Sequence, residues 1–199
     1  MKTIYYYLSP KSPWTYMGHE RLQAIAARHQ AIVEPRPFGL TDTVFPQSGG
    51  LPLNKRPPQR QAYRLVELAR WSNYLELPLT LHPAYFPVDD LAASLMIIGA
   101  TRRDGNDAGN RLAGAFLRGV WAQEENLADP DTLVRLANQQ GLNGQALYDQ
   151  RTACMPVYDD YTQQAIAGHV FGAPWYVYNN EPFWGQDRLD FLDRALAKG

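Results

Sequence analysis

The sequence holds a single cysteine, Cys154, among 199 residues. No internal disulfide can form, and no cysteine cluster can hold a metal. Cys154 lies far from the N-terminal motifs and reads as an inert thiol. Charge of either sign is not in excess, with a formal net charge of −1. No basic patch of the kind that tracks a phosphate backbone stands out, which argues against a nucleic-acid partner. No apolar run approaches the roughly 20 residues that a membrane-spanning helix needs. The opening stretch Met1-Lys2-Thr3-Ile4 lacks the apolar core and small-residue cleavage site of a secretory signal. These absences lead to the expectation of a cytoplasmic protein with no membrane partner. The four histidines, His19, His29, His82 and His169, show no metal-ligand spacing. No Gly-x-Ser-x-Gly elbow points to a hydrolase, and no Gly-x-Gly-x-x-Gly points to a dinucleotide.

What is present is an ordinary globular balance, 45% hydrophobic and 20% charged, enough for one good core or a small domain with a large insertion. Residues Thr3 to Leu8 are β-branched and aromatic and read as a buried strand. Ser12 suits an N-cap and Pro13 a first helical position, so a helix is expected to about Arg28, with Leu22, Ile25 and Ala26 inward. A second strand follows around Ala31 to Phe38. Residues 41–58, rich in Gly, Pro and Asn, read as a long loop. From Gln59 to about residue 168 the pattern is helical. Ala62, Leu65, Val66 and Ala69 form one apolar stripe, and Leu112, Ala115, Phe116, Gly119 and Val120 another. Between them, Val88 to Arg103 reads as a helix opened by Asp89-Asp90. Asp129-Pro130 starts a further helix with Leu133, Leu136 and Ala137 facing in. Strand character returns at Trp175-Tyr176-Val177-Tyr178. Asn179-Asn180-Glu181-Pro182 is a turn, and Phe183-Trp184 begins a paired strand. Gly185-Gln186-Asp187 then opens a last helix with Leu189, Leu192 and Leu196 on one face.

The fold class is therefore α/β: β-α-β, a helical insertion, then β-β-α. The expected division is residues 1–40 plus 169–199 as a sheet domain and 41–168 as a helical insertion domain.

Three places carry chemistry. Ser12-Pro13-Trp14-Thr15 sits at a helix start, where free N–H groups and the dipole favour an anion such as a thiolate. Ser12 is either a plain N-cap or a hydrogen-bond donor to a ligand's thiolate. The turn resembles the Cys-Pro-x-Cys motif of the thioredoxin superfamily, with Ser12 and Thr15 in place of both cysteines, so it has no redox capacity. Gly172-Ala173-Pro174 stands before a strand, where that superfamily carries a cis-proline. Trp184-Gly185-Gln186-Asp187 opens the last helix, where N–H groups and Asp187 suit a zwitterion or simple capping.

Taken together, Ser12 to Gly18, Asn54 followed by the helix to Arg70-Trp71, Val170 to Pro174, and Trp184 to Leu189 resemble the 2-hydroxychromene-2-carboxylate isomerases and the related kappa-class glutathione transferases. The resemblance covers nearly the whole chain. It implies a DsbA-like thioredoxin fold, glutathione as cofactor, an aromatic small-molecule substrate and a homodimer. Residue by residue, Ser12 matches the catalytic serine that holds the glutathione thiol. Ala173, before Pro174, matches the residue whose backbone binds the cysteinyl unit, and Gln186 and Asp187 match those holding the γ-glutamyl end. Asn54 and Trp14 fall beside the substrate. Many relatives place an Asp in strand one, where this chain is tyrosine-rich, and Ser9-Pro10 offers a second serine near the turn. The order Trp14, Tyr16, Gly18 favours Ser12.

The activity this implies is a glutathione-dependent cis–trans isomerisation by reversible thiolate addition. The rival readings are a kappa-like transferase that leaves glutathione attached, and a non-catalytic thioredoxin-like binding protein.

Overall fold

Strand β1 (Thr3–Leu8) is the centre around which the chain assembles, in a computed structural model that describes residues 1–199. Its alternating side chains serve two cores. Ile4, Tyr6 and Leu8 enter the larger one, and Tyr7 enters a smaller one with Phe38, Val44, Ala165 and Trp175. Both faces of the sheet are thus covered, which explains why β1 is a nearly unbroken apolar run rather than a polar–apolar alternation.

β1 pairs in parallel with β2 (Ile32–Pro37), and the crossover between them is helix α1 (Pro13–Arg28). On its other side β1 pairs antiparallel with β3 (Trp175–Tyr178), and β3 pairs antiparallel with β4 (Glu181–Trp184). The order β2-β1-β3-β4 puts the first and last segments of the chain in one sheet. Pro35, Pro37 and Pro182 lie in the two edge strands, where a missing ladder donor is tolerated.

Between the two halves of the sheet lie α3 (Pro58–Tyr74), α4 (Leu91–Asp104), α5 (Asn106–Ala122), α6 (Pro130–Gln139), α7 (Gly144–Asp149) and α8 (Met155–Ala167). The closing helix α9 (Leu189–Lys198) buries Leu189, Leu192 and Leu196 completely, each contributing about 1.5–3 kcal/mol of transfer free energy. They join Leu22, Ile25, Leu112, Phe116 and Leu133 in one continuous core shared by sheet and helices. The inward residues expected for α1, α5, α6 and α9 are all buried.

Several local expectations are corrected. Residues 41–58 are not an open loop throughout. They hold a π-type turn at Leu40–Val44, the four-residue helix α2 (Phe45–Ser48) and a 3-10 turn at Leu53–Lys55. The stripe Ala62, Leu65, Val66, Ala69 is the inner face of α3 only in part, since Leu65 packs against the core. Ala62 and Val66 are exposed and Leu68 alone is buried. Helix α4 starts at Leu91 rather than Val88, and Asp89-Asp90 does open it: Asp90 holds the N-cap position, while Asp89 Oδ1 accepts from the Leu91 N–H. The β3–β4 turn is confined to Asn179 and Asn180, both at positive φ, and Glu181 already belongs to the strand. That is the signature of a two-residue hairpin loop. Finally, Gln186–Arg188 form a separate 3-10 turn ahead of α9.

Candidate active site

Helix α1 begins where β1 ends, and its first residue is proline. Pro13 needs no hydrogen-bond acceptor there, and Ser12 takes the extended conformation of an N-cap (φ −81°, ψ 125°). The Ser12 Oγ accepts from the Thr15 N–H at 3.2 Å. Its own proton is directed at the Ala173 carbonyl, 3.4 Å away, which is long for a hydroxyl donor. Ser12 is half-buried and lines a cavity of about 1000 Å³.

Ser9 is differently placed. It is buried, and its hydroxyl donates to Asp90 Oδ2 at 2.7 Å. Asp90 Oδ1 in turn pairs with Lys11 Nζ at 2.8 Å. This accounts for the missing side-chain cap on α4: the Asp90 carboxylate is drawn to Ser9 and Lys11. Of the two serines near the turn, Ser12 has the hydroxyl that is only weakly engaged. Thr15, at the other position of the turn, is fully buried, and its hydroxyl has no partner.

Opposite Ser12 stands the segment before β3. The Ala173–Pro174 peptide bond is cis, as expected. Ala173 lines the cavity, and Pro174 is buried beside it. The Pro174 carbonyl accepts from the Gly185 N–H at 2.9 Å, which ties the end of β4 to this segment. Gly185 sits at φ 98°, ψ 152°, a conformation reserved for glycine. It delivers Gln186 and Asp187 to the cavity wall. Gln186 is buried, and its Oε1 accepts from Arg21 Nη1 of α1 at 2.7 Å. Asp187 is exposed and accepts from Arg188 Nη1 at 2.6 Å. Gln186 therefore anchors the turn to α1, and Asp187 is the residue of the pair that faces solvent.

Asn54 and Trp14 also line the cavity, Asn54 exposed on the 3-10 turn after the glycine-rich stretch and Trp14 half-buried on α1. All of the site residues named from sequence except Pro174 thus surround one space.

The rest of the wall went unsignalled by apolar periodicity. Trp71, Phe86, Phe171 and Trp184 line it, and so do Arg56, Arg60 and Arg64. Phe171 packs edge-on against Trp184 at 4.6 Å. The three arginines recur at every fourth residue, which is the signal that would have found them. The histidines lie elsewhere. His19 is buried, its Nε2–H donating to the Asn110 carbonyl at 3.0 Å and its Nδ1 accepting from the Tyr6 hydroxyl at 3.2 Å. His29 pairs with Asp193, and His82 and His169 are exposed. Cys154 is buried away from the cavity, and burial pushes its thiol up. No helix is long and apolar enough to cross a membrane.

Comparison with known proteins agrees with this architecture. A family model described as a DSBA-like thioredoxin domain matches residues 3–197. The chain is similar to a 2-hydroxychromene-2-carboxylate isomerase of Sphingobium xenophagum, 29% identical over 197 residues and covering 98% of each chain. It is also similar to an enzyme of the same name from Pseudomonas sp. (strain C18), 26% identical, covering 96% of this chain and 89% of that one. Among solved structures, a 2-hydroxychromene-2-carboxylate isomerase superposes with a TM-score of 0.81 at 22% identity, covering 98% of this chain and 95% of that one.

Proposed function

The chain belongs to the DSBA-like thioredoxin family, and we propose that within it the protein is a glutathione-dependent isomerase acting on 2-hydroxychromene-2-carboxylate or a close aromatic carboxylate. The observation that carries this reading is the weakly engaged Ser12 hydroxyl, held at the start of α1 and facing Ala173 across the cavity. The similarity to enzymes named for that isomerisation supports the same reaction class.

The residues present fit glutathione. No cysteine lines the cavity, so thiolate chemistry there requires a ligand's sulfur. Ser12 can turn its proton from a 3.4 Å contact to a stronger, charged acceptor. Bound glutathione would supply a thiolate that adds reversibly to a conjugated double bond. Ser12 and the N-terminus of α1 would stabilise the anionic sulfur, moving its pKa from about 8.5 toward neutrality. Ala173 would offer backbone groups to the cysteinyl unit, and Asp187 would hold the ammonium of the γ-glutamyl end.

In 2-hydroxychromene-2-carboxylate, opening of the hemiketal turns C2 into a ketone conjugated with the C3=C4 bond. Reversible thiolate addition across C3=C4 would leave that bond single and free to rotate, and release of the thiolate would re-form it in the opposite geometry. Asn54 and Trp14 would position this substrate beside the sulfur. The same reading has the protein act as a cytoplasmic homodimer on a small aromatic molecule.

The test is product analysis with 2-hydroxychromene-2-carboxylate, with and without glutathione. The isomerase reading expects an isomer of unchanged mass, dependence on glutathione and full recovery of the free thiol. Accumulation of a glutathione conjugate would instead make the protein a transferase. Absence of turnover and of glutathione binding would make it a thioredoxin-like binding protein.

A further inference from the structure

Helix α3 presents charge where a core-facing helix usually presents only apolar groups. Leu68 is its one fully buried residue, yet Gln61, Arg64, Glu67 and Trp71 line the cavity while Ala62 and Val66 face solvent. Arg64 is the exceptional member. It is half-buried, and its guanidinium lies 5.3 Å from the Phe86 ring centroid and 5.6 Å from that of Trp121. The two rings pack on each other at 4.8 Å, so they form a fixed backing.

No carboxylate answers this cation. Of the carboxylates on the cavity wall, Glu67 is paired with Arg70 and Asp187 with Arg188, and Asp42 makes no ion pair with Arg64. Burial, then the charge of Arg56, lower Arg64 to about 10, with no opposite charge or hydrogen bond acting against them. Arg64 therefore stays charged at neutral pH. A partly desolvated cation beside a like charge is unfavourable until an anion joins it. The cation–π contacts offset part of this cost, and the guanidinium donates no hydrogen bond within the chain, so its donors are free for a ligand.

We infer that Arg64 is the carboxylate anchor of the substrate site: its guanidinium, braced by Phe86 and Trp121, receives the carboxylate of an aromatic acceptor bound in the cavity. Arginine suits this role because its planar fork matches a carboxylate with two parallel hydrogen bonds. Trp14, Trp71 and Phe86 supply aromatic surface for the acceptor's ring in the same cavity. The inference rests on the proposed function insofar as the acceptor shares this cavity with glutathione. It adds a residue that selects acids over their neutral counterparts.

The test is calorimetric titration with 2H-chromene-2-carboxylate, a stable analogue without the 2-hydroxyl, and with its neutral carboxamide. Each is titrated into wild type, Arg64→Gln and Arg64→Lys, with and without saturating glutathione. Wild type should prefer the carboxylate by about tenfold or more, roughly 1.4 kcal/mol. In Arg64→Gln the two analogues should bind within about twofold of each other, with glutathione affinity changed by no more than about twofold. Arg64→Lys should keep the preference in part, since a point charge replaces the fork. Thermal melts verify that both variants are folded. An undiminished carboxylate preference in Arg64→Gln would overturn the inference, and so would a wild type that binds neither analogue or does not distinguish them. Loss of glutathione affinity in Arg64→Gln with the carboxylate preference intact would overturn it too, by assigning Arg64 to the glycyl carboxylate of glutathione. If wild type fails to bind glutathione, the proposed function falls, and the glutathione-free titrations still decide the role of Arg64.

Discussion

The Ser12 hydroxyl donates to the Ala173 carbonyl across 3.4 Å, joining two residues 161 positions apart in the chain. This contact sets the start of α1 against the segment preceding β3. It arises because β1 and β3 are neighbours in the sheet, with Tyr7 opposite Trp175. The consequence is a hydroxyl held at a helix N-terminus with only a weak acceptor, on the wall of the cavity. Ser9, three residues earlier, is committed to Asp90. The two serines therefore differ in what they can offer a ligand.

Asp187→Ala should separate binding from chemistry. Asp187 is exposed and salt-bridged only to Arg188, so its loss should leave the fold intact. If it holds the distant ammonium of glutathione, the variant should bind glutathione about tenfold or more weakly, while kcat at saturating glutathione stays within about twofold. Steady-state kinetics over a range of glutathione concentrations measures both. An unchanged KM for glutathione would remove Asp187 from the site.

Gly18→Ala should disturb the site from behind. An added Cβ would sit 2.7 Å from the Tyr176 hydroxyl and 3.0 Å from Gln186 Cβ. Tyr176 is fully buried and its hydroxyl has no hydrogen-bond partner, so it has no free space into which to retreat. Such overpacking costs about 1–3 kcal/mol, and the push on Gln186 displaces the turn that carries Asp187. The expected outcome is a lower melting temperature together with a raised KM for glutathione. A variant with wild-type stability and KM would show that α1 and the 186–188 turn are not tightly coupled.

His19 makes stability depend on mild acid. Burial holds its pKa down at about 4, below the ordinary value of about 6.5. Between those values the unfolded chain takes up a proton that the folded chain refuses, so stability should fall as pH drops from about 6.5 toward 4 and flatten below. The loss attributable to this group is on the order of 3 kcal/mol at most. Asp129 and Asp193, whose carboxyls are held below the usual range by Thr132 and His29, act only in stronger acid. Urea denaturation at several pH values should show this slope in wild type, and His19→Gln should lack it. An equal slope in both proteins would assign the acid sensitivity elsewhere.

The parts of the fold legible in the sequence are those where one local signal and one burial pattern agree. Pro13 after Ser12 marks the start of α1, and Leu189, Leu192 and Leu196 mark the buried face of α9; both stand as read. The short turns within residues 41–58 were not legible, because three to five residues are too few to show a helical period. The inner face of α3 was misread for a physical reason. An apolar stripe is the signal of a core-facing helix, and here the inward positions include Gln61, Arg64 and Glu67 because the helix faces the cavity as well as the core, which only Leu68, Leu65 and Trp71 reach. Asp89-Asp90 opens α4 as the pattern indicates, but the side-chain acceptor at its start is Asp89, because the Asp90 carboxylate is claimed by Ser9 and Lys11, which no local pattern reveals. The candidate site was legible in Ser12, Asn54, Ala173 and Asp187, which carry the family resemblance. Of its aromatic wall, Trp71 and Trp184 lie in the motifs of the resemblance, whereas Phe86 belongs to none of them; the only pattern in its basic wall is the four-residue spacing of Arg56, Arg60 and Arg64.

The central claim, that Ser12 holds and activates a glutathione thiol, is tested most directly by ultraviolet titration of the bound thiolate in wild type, Ser12→Ala and Ser9→Ala. Wild type should bind glutathione and lower its thiol pKa below the free value of about 8.5. Ser12→Ala should bind within a few-fold yet raise the bound thiol's pKa by about 1–2 units, as expected when a hydrogen bond to a charged group worth about 1.5–3 kcal/mol is lost. Turnover should fall with it. Ser9→Ala should lose the bond to Asp90 and some stability while keeping the wild-type thiol pKa. A thiol pKa that is unchanged in Ser12→Ala, or one that rises in Ser9→Ala instead, would contradict the account.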